Sequence, residues 1–138
     1  MSASFEPQQF GRYFLVDKVA VGGMAEVFKA RIFSEGGFQK LLVIKRILGH
    51  LGGNDEFVDM FIDEAKISVE LQHPNIVQVY DFGKIHENYF IAMECVEGKD
   101  VKGILRKMAE RRKVLPVEYA AHIAHEMCKG LDLSLIHI

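Results

Sequence analysis

Three runs rich in β-branched and aromatic residues, at 12–20, 26–33 and 39–47, fill the first third of the chain, and glycine-bearing segments separate them. The first two flank Gly22-Gly23 and read as a hairpin; the third follows the turn signal Ser34-Glu35-Gly36-Gly37, so the chain opens as three antiparallel strands. After a loop at 49–54, Phe57, Phe61, Ala65, Ser68 and Leu71 recur at helical spacing, with Asp55 and Glu56 near the start. His73-Pro74-Asn75 ends that helix, because the residue before a proline avoids helical backbone angles. Two more strands follow, 76–82 and 89–96, around a polar turn. Beyond Gly98 the pattern becomes helical. Asp100 reads as the N-cap of a short helix through Arg112, and Pro116 stands in the first turn of another, striped by Ala120, Ile123, Ala124, Met127, Cys128 and Leu131.

The composition suits one soluble globular domain: 138 residues, 49% hydrophobic and 26% charged. A net charge of −2, from 17 basic and 19 acidic residues, supplies no global field for nucleic acid or an anionic membrane, so neither is expected as a partner. Cys95 and Cys128 are too few for a disulfide framework and form no metal-binding pair, which points to a reducing, cytoplasmic setting. No segment reads as a signal peptide, and no apolar run approaches the ~18 residues of a membrane span.

Chemistry concentrates in three places. The segment Ala20-Val21-Gly22-Gly23-Met24-Ala25-Glu26-Val27 joins two strands, and a tight turn of small residues lets backbone N–H groups approach a polyphosphate. By itself that is an ordinary glycine hairpin. Leu42-Val43-Ile44-Lys45 places a lysine at the end of an apolar strand, where an inward ammonium needs an anion such as a phosphate, although a lone lysine there more often snorkels to solvent. Glu64 lies on the following helix, beside the face of Phe61, Ala65 and Ser68, and can meet Lys45; alone it would be a solvated helical glutamate.

The glycine turn, the strand lysine, the helix glutamate, His73-Pro74-Asn75-Ile76-Val77 and Met93-Glu94-Cys95-Val96-Glu97-Gly98 stand in an order that resembles the small lobe of a protein kinase. The order is similar in particular to that of the bacterial Ser/Thr kinases of eukaryotic type, and the resemblance runs from about Phe10 to Asp132. The resemblance implies an α+β fold: a five-stranded antiparallel sheet with one packed helix over 11–96, preceded by an N-terminal extension at 1–10. The hinge and first two helices of a large lobe would follow over 97–132, with an atypical tail at 133–138.

It also implies ATP as the bound nucleotide, Mg2+ in the complete domain, and protein hydroxyls as phosphoryl acceptors. By position, 20–27 would cover the phosphates, and Lys45, paired with Glu64, would contact the α- and β-phosphates. Met93 would be the gatekeeper, the backbone of Glu94 and Val96 the adenine-binding hinge, and Val27 and Val43 the cover over the ring. No metal ligand and no catalytic-loop aspartate falls within the chain, so the 138-residue piece is expected to be inactive by itself. A pseudokinase that binds nucleotide or acts as a scaffold is the alternative. Ser/Thr against Tyr acceptors is not decided by this half of the domain.

Some residues depart from the pattern. Ala20 and Ala25 replace the outer glycines of G-x-G-x-x-G-x-V, leaving Gly22, and would cost about 1 kcal/mol wherever the loop demands positive φ. Val43 replaces the small alanine of V-A-I-K and is expected to crowd the adenine slot. Asp81-Phe82-Gly83 mimics the magnesium-binding D-F-G but stands before any catalytic loop, at what reads as the start of a turn, and is taken as coincidence. His122 and His125 lack a third metal ligand. The stretch from Leu133 to Ile138 departs from the family and reads as an artefact of the reading frame. The apolar stripe of the last helix predicts an exposed apolar surface.

Overall fold

A computed structural model describes residues 5–137; Ile138 and the first four residues of the expected N-terminal extension lie outside it. The elements in order are β1 (Gln8–Phe10), β2 (Tyr13–Val21), β3 (Ala25–Phe33), β4 (Gln39–Ile47), α1 (Asp55–Glu70), β5 (Val79–Ile85), β6 (Asn88–Glu94), α2 (Val101–Glu110) and α3 (Val117–His137). They divide into two units, 5–72 with 77–95 and 73–76 with 96–137.

In the first unit the sheet has six strands, not the expected five, in the order β1-β2-β3-β4-β6-β5 with every neighbouring pair antiparallel. The additional strand arises because Gly11 takes φ +56° as the first central residue of a two-residue turn between Phe10 and Tyr13. Both flanking aromatics are buried there. The strand expected at 76–82 begins instead at Val79 and runs through Ile85, so Asp81-Phe82-Gly83 lies inside β5 rather than at a turn. Asp81 accepts hydrogen bonds from Arg12 Nη2 at 2.7 Å and from the Tyr13 hydroxyl at 3.1 Å.

Those two bonds reveal the sheet's curl, since β1 and β5 are its opposite edges, yet the β1–β2 turn meets β5. A Cβ built on Gly11 would fall 2.5 Å from Ile85 Cδ1, so glycine also lets that turn approach. Register breaks in β2, between Leu15 and Asp17 and between Lys18 and Ala20, and in β5, between Val79 and Asp81, supply extra bend. The concave side holds Tyr13, Leu15, Phe28, Ile44 and Phe90, with Phe90 edge-on to both Phe10 and Tyr13 at 5.5 Å. The other side holds Ile47, Val79 and Ile91 against Val58, Phe61 and Ala65 of α1.

Helix α1 starts where Asn54 Oδ1 accepts the Glu56 N–H at 3.1 Å, a cap inside what reads from sequence as plain loop. It ends at Glu70, ahead of His73-Pro74.

In the second unit Asp100 caps α2 as expected, its Oδ1 accepting the Gly103 N–H at 2.7 Å. At the other end of α2, the N–H groups of Arg112 and Lys113 donate to the Ala109 and Met108 carbonyls at 2.9 and 2.8 Å. Arg112 takes φ 53°, where glycine is the usual occupant, at a cost of about 1 kcal/mol. The segment His73–Ile76 joins α3 through Asn75 Nδ2, which donates to the carbonyl and carboxylate of Glu126 at 2.8 and 2.7 Å. Hydrogen bonds from Lys129 and Asn75 pull the Glu126 carboxyl down to about 2. Gly130 packs beneath, where a Cβ would lie 3.2 Å from the Asn75 carbonyl. Helix α3 carries Leu133–His137 as regular helix and leaves Val117, Tyr119, Met127, Leu131, Leu135 and Ile136 exposed.

Phe28 has no exposed surface. Phe28→Ala should lower stability by about 3–5 kcal/mol in urea denaturation, whereas Phe38→Ala, at 77% exposure in the β3–β4 connection, should change it by less than about 0.5 kcal/mol.

Candidate functional site

Strand alternation sets the site. Directly opposed residues share a face, so Ala20, Val27, Lys45 and Ile91 form one row across β2, β3, β4 and β6, and Val43 with Met93 belongs to the next. This is the face that meets α1, because Ile47 and Ile91 pack against that helix and Met93 packs at the edge of the same cluster. The sheet thus brings Ala20, Val27, Val43, Lys45 and Met93 together. Glu94, opposite Leu42, has the other parity; its N–H donates to the Gln78 carbonyl at 2.8 Å, and its carboxylate accepts the Gln78 N–H at 3.2 Å. Val96 opens the second unit and is exposed.

Lys45 Nζ donates to Glu64 Oε1 at 2.7 Å. Beside the pair is a cleft of about 420 Å³ whose apolar walls include Met24, Ile47, Phe57, Met60, Phe61 and Ile67, with Lys45, Asp63 and Glu64 as its polar members. Glu64 is 47% exposed and Lys45 28%. An ion pair that open contributes under about 1 kcal/mol to stability, so its geometry matters more than its energy.

The small-residue turn is Gly22-Gly23-Met24, closed by the Gly22 N–H donating to the Ala25 carbonyl at 2.7 Å and anchored by the Leu48 N–H donating to the Met24 carbonyl at 3.0 Å. Val21 and Met24 are exposed; Ala25 is buried. Neither alanine is among the residues at positive φ, and neither are Gly22 and Gly23, so the departure from the glycine pattern places no strain on this turn. A Cβ on Gly23 would meet nothing within 4 Å. The Gly23 and Met24 N–H groups have no protein acceptor among the described residues. Together with the Lys45 ammonium they are donors of the kind a polyphosphate accepts from. No three His, Cys, Asp or Glu side chains gather among the described residues, and no magnesium ligand is assigned to this chain. His122 and His125 are both exposed on α3.

Sequence reasoning missed Glu26. It accepts from Lys18 Nζ at 2.7 Å and from Arg46 Nη2 at 3.1 Å, while the Arg46 guanidinium lies over Phe28 and Phe10 at 4.8 and 5.4 Å. The three charges close one end of the aromatic core. The visible signal was two cations and one carboxylate at strand positions of the parity that points inward.

An antiparallel sheet of this curl, one helix across its outer face and a lysine–glutamate pair joining the two define the small lobe of the protein kinase fold. The chain belongs to the protein kinase domain family, which matches it over residues 13–137. It is 41% identical over 127 residues to the tyrosine-protein kinase MasK of Myxococcus xanthus, covering 92% of this chain and 20% of that protein. Over 92 residues it is 36% identical to the serine/threonine-protein kinase PrkC of Bacillus subtilis, covering 67% and 14%. The crystal structure of the Mycobacterium tuberculosis PknI kinase domain superposes with a TM-score of 0.69 at 29% identity, over 92% of this chain and 49% of that one. The chain therefore spans a fifth or less of the length of these two curated relatives. Among the described residues no helix is long and apolar enough to cross a membrane.

Burial alone would raise the Glu26 pKa, but hydrogen bonds from Lys18 and Arg46 outweigh it and hold the carboxyl below 4.5. Its folded value is depressed, so its stabilisation is complete above 4.5 and is lost as pH falls through the lower folded value. Glu26→Gln should destabilise the fold at neutral pH by about 1–3 kcal/mol and flatten the acid limb of a stability-against-pH curve. An unchanged acid limb would count against this assignment.

Proposed function

We propose that this chain is the ATP-binding part of a protein kinase that transfers the γ-phosphoryl group of ATP to Ser or Thr hydroxyls of proteins. The observation that supports it most directly is the 2.7 Å contact between Lys45 and Glu64 on the face that also carries Ala20, Val27, Val43 and Met93. Glu64 holds the ammonium toward the cleft, where it neutralises phosphate charge without itself exchanging a proton. The Gly23 and Met24 N–H groups cover the phosphates from the turn. Val27 and Val43 close over the adenine ring, Met93 limits the depth of its slot, and the Glu94 carbonyl and Val96 N–H bind its edge. Magnesium would supply positive charge to offset that of the phosphoryl group in transfer; its ligands and the aspartate that assists the acceptor hydroxyl lie outside this chain in the proposal.

Ser or Thr as acceptor follows the likeness to bacterial Ser/Thr kinases such as PrkC, whereas MasK is named a tyrosine kinase. The pseudokinase alternative drew on Ala20 and Ala25, and their unstrained backbone removes that motive. In the full-length kinase containing this chain, Lys45→Met should lower phosphoryl transfer from labelled ATP by about 100-fold or more. It should leave the melting temperature nearly unchanged, because the pair is solvent-exposed. Phosphoamino-acid analysis of the product then separates Ser and Thr from Tyr. Undiminished turnover in the variant would overturn the role given to Lys45, and absent turnover with intact ATP binding in the wild type would favour the pseudokinase.

A further inference from the structure

The charge of this chain is segregated. Between Lys99 and Lys113 stand seven basic residues and two acidic ones, while the other 123 residues carry ten basic and 17 acidic. Helix stability does not account for that cluster. Cations near the last turn of α2 favour its carbonyl end, but Lys99 and Lys102 flank its N-terminus, where the helix dipole disfavours positive charge. Arg112 holds a left-handed conformation that glycine would adopt without strain. Nor does pairing account for it: of the seven, Lys107 alone has a carboxylate within ion-pair reach among the described residues, Glu110 at 3.6 Å. Beside these cations is a hollow of about 630 Å³, lined by Lys99, Arg106 and Lys107 together with Gly103, Ile104 and Met108, and bordered by Glu110.

We propose that this hollow on α2 binds an acidic segment of a partner protein, its carboxylates on Lys99, Arg106 and Lys107 and one apolar side chain over Ile104 and Met108. Charge complementarity selects an anionic occupant. The concavity and its apolar lining select a peptide: a side chain of an extended segment can enter the hollow onto Ile104 and the half-buried Met108, where the broad surface of a bilayer does not follow, and a phosphodiester backbone has no group for the apolar part. The site is independent of the nucleotide reading and needs no ATP.

The test is fluorescence anisotropy with the full-length kinase containing this chain and a short fluorescein-labelled peptide of glutamates around one central leucine. Binding should saturate, weaken as salt is raised, and weaken about tenfold or more in the double variant Lys99→Glu, Arg106→Glu. Replacing the peptide's leucine with serine should weaken it severalfold. Lys29→Glu with Lys40→Glu, a charge reversal of equal size on the first unit, should bind as wild type, and circular dichroism should show the same helix content in all variants. Equal loss in both double variants, or indifference to the leucine, would reduce the effect to bulk charge and overturn the proposal. So would failure to bind the peptide, including the case in which the chain instead sediments with phosphatidylserine vesicles or shifts duplex DNA.

Discussion

A flat antiparallel sheet would leave two bare edges, and in this structure the turn at one edge reaches the strand at the other. Arg12 and Tyr13 hold Asp81 of β5 across a sheet in which β1 and β5 are the outermost strands. That closure makes the aromatic cluster of Tyr13, Phe28 and Phe90 an interior rather than a face. It also fixes which side is left for α1. Once even-numbered positions of β4 such as Leu42 and Ile44 point into the curl, Val43, Lys45 and Ile47 must point toward the helix. A slip of one residue would drive the Lys45 ammonium into the aromatic core, so burial enforces the register that places it beside Glu64.

Much of this was legible. Strands β2, β3 and β4, helices α1 and α2 and the start of α3 follow from hydrophobic period and turn residues within a few positions, because each element is long and these boundaries carry glycine, proline or a capping side chain; the end of α3, which continues through the atypical tail to His137, does not. Strand β1 escaped because its three residues are too short to show alternation; its signal was Gly11 between Phe10 and Tyr13. The late start of β5 escaped because Ile76 and Val77 read as strand, while His73–Ile76 is held by Asn75 against Glu126, a contact that spans 51 residues. The bonds of Asp81 to Arg12 and Tyr13 depend on closure of the sheet, which no local pattern encodes.

The candidate site was legible as a set of residues and not as geometry. Lys45 and Glu64, 19 positions apart, were named from motif order, and their contact follows from the packing of Phe61 and Ala65, which fixes the face of α1 turned to the sheet. The glycine turn shows the opposite case. A pattern of small residues implies positive φ, yet this turn closes through Gly22 and Ala25 with no left-handed residue, so the alanines fit without strain. Only the backbone could say so.

The assignment of His73–Ile76 to the second unit means that neither unit is one continuous stretch of polypeptide. The chain leaves the first unit after Gln72, returns at Val77 and leaves again after Cys95. Dissection of the molecule at a single peptide bond therefore yields no clean halves. A polypeptide truncated after Cys95 retains Asn75 but loses Glu126, while the complementary piece presents Gly130 with nothing to pack beneath. Two such pieces mixed in one tube would have to recover that joint before the second unit was whole, although the first would be complete in one of them.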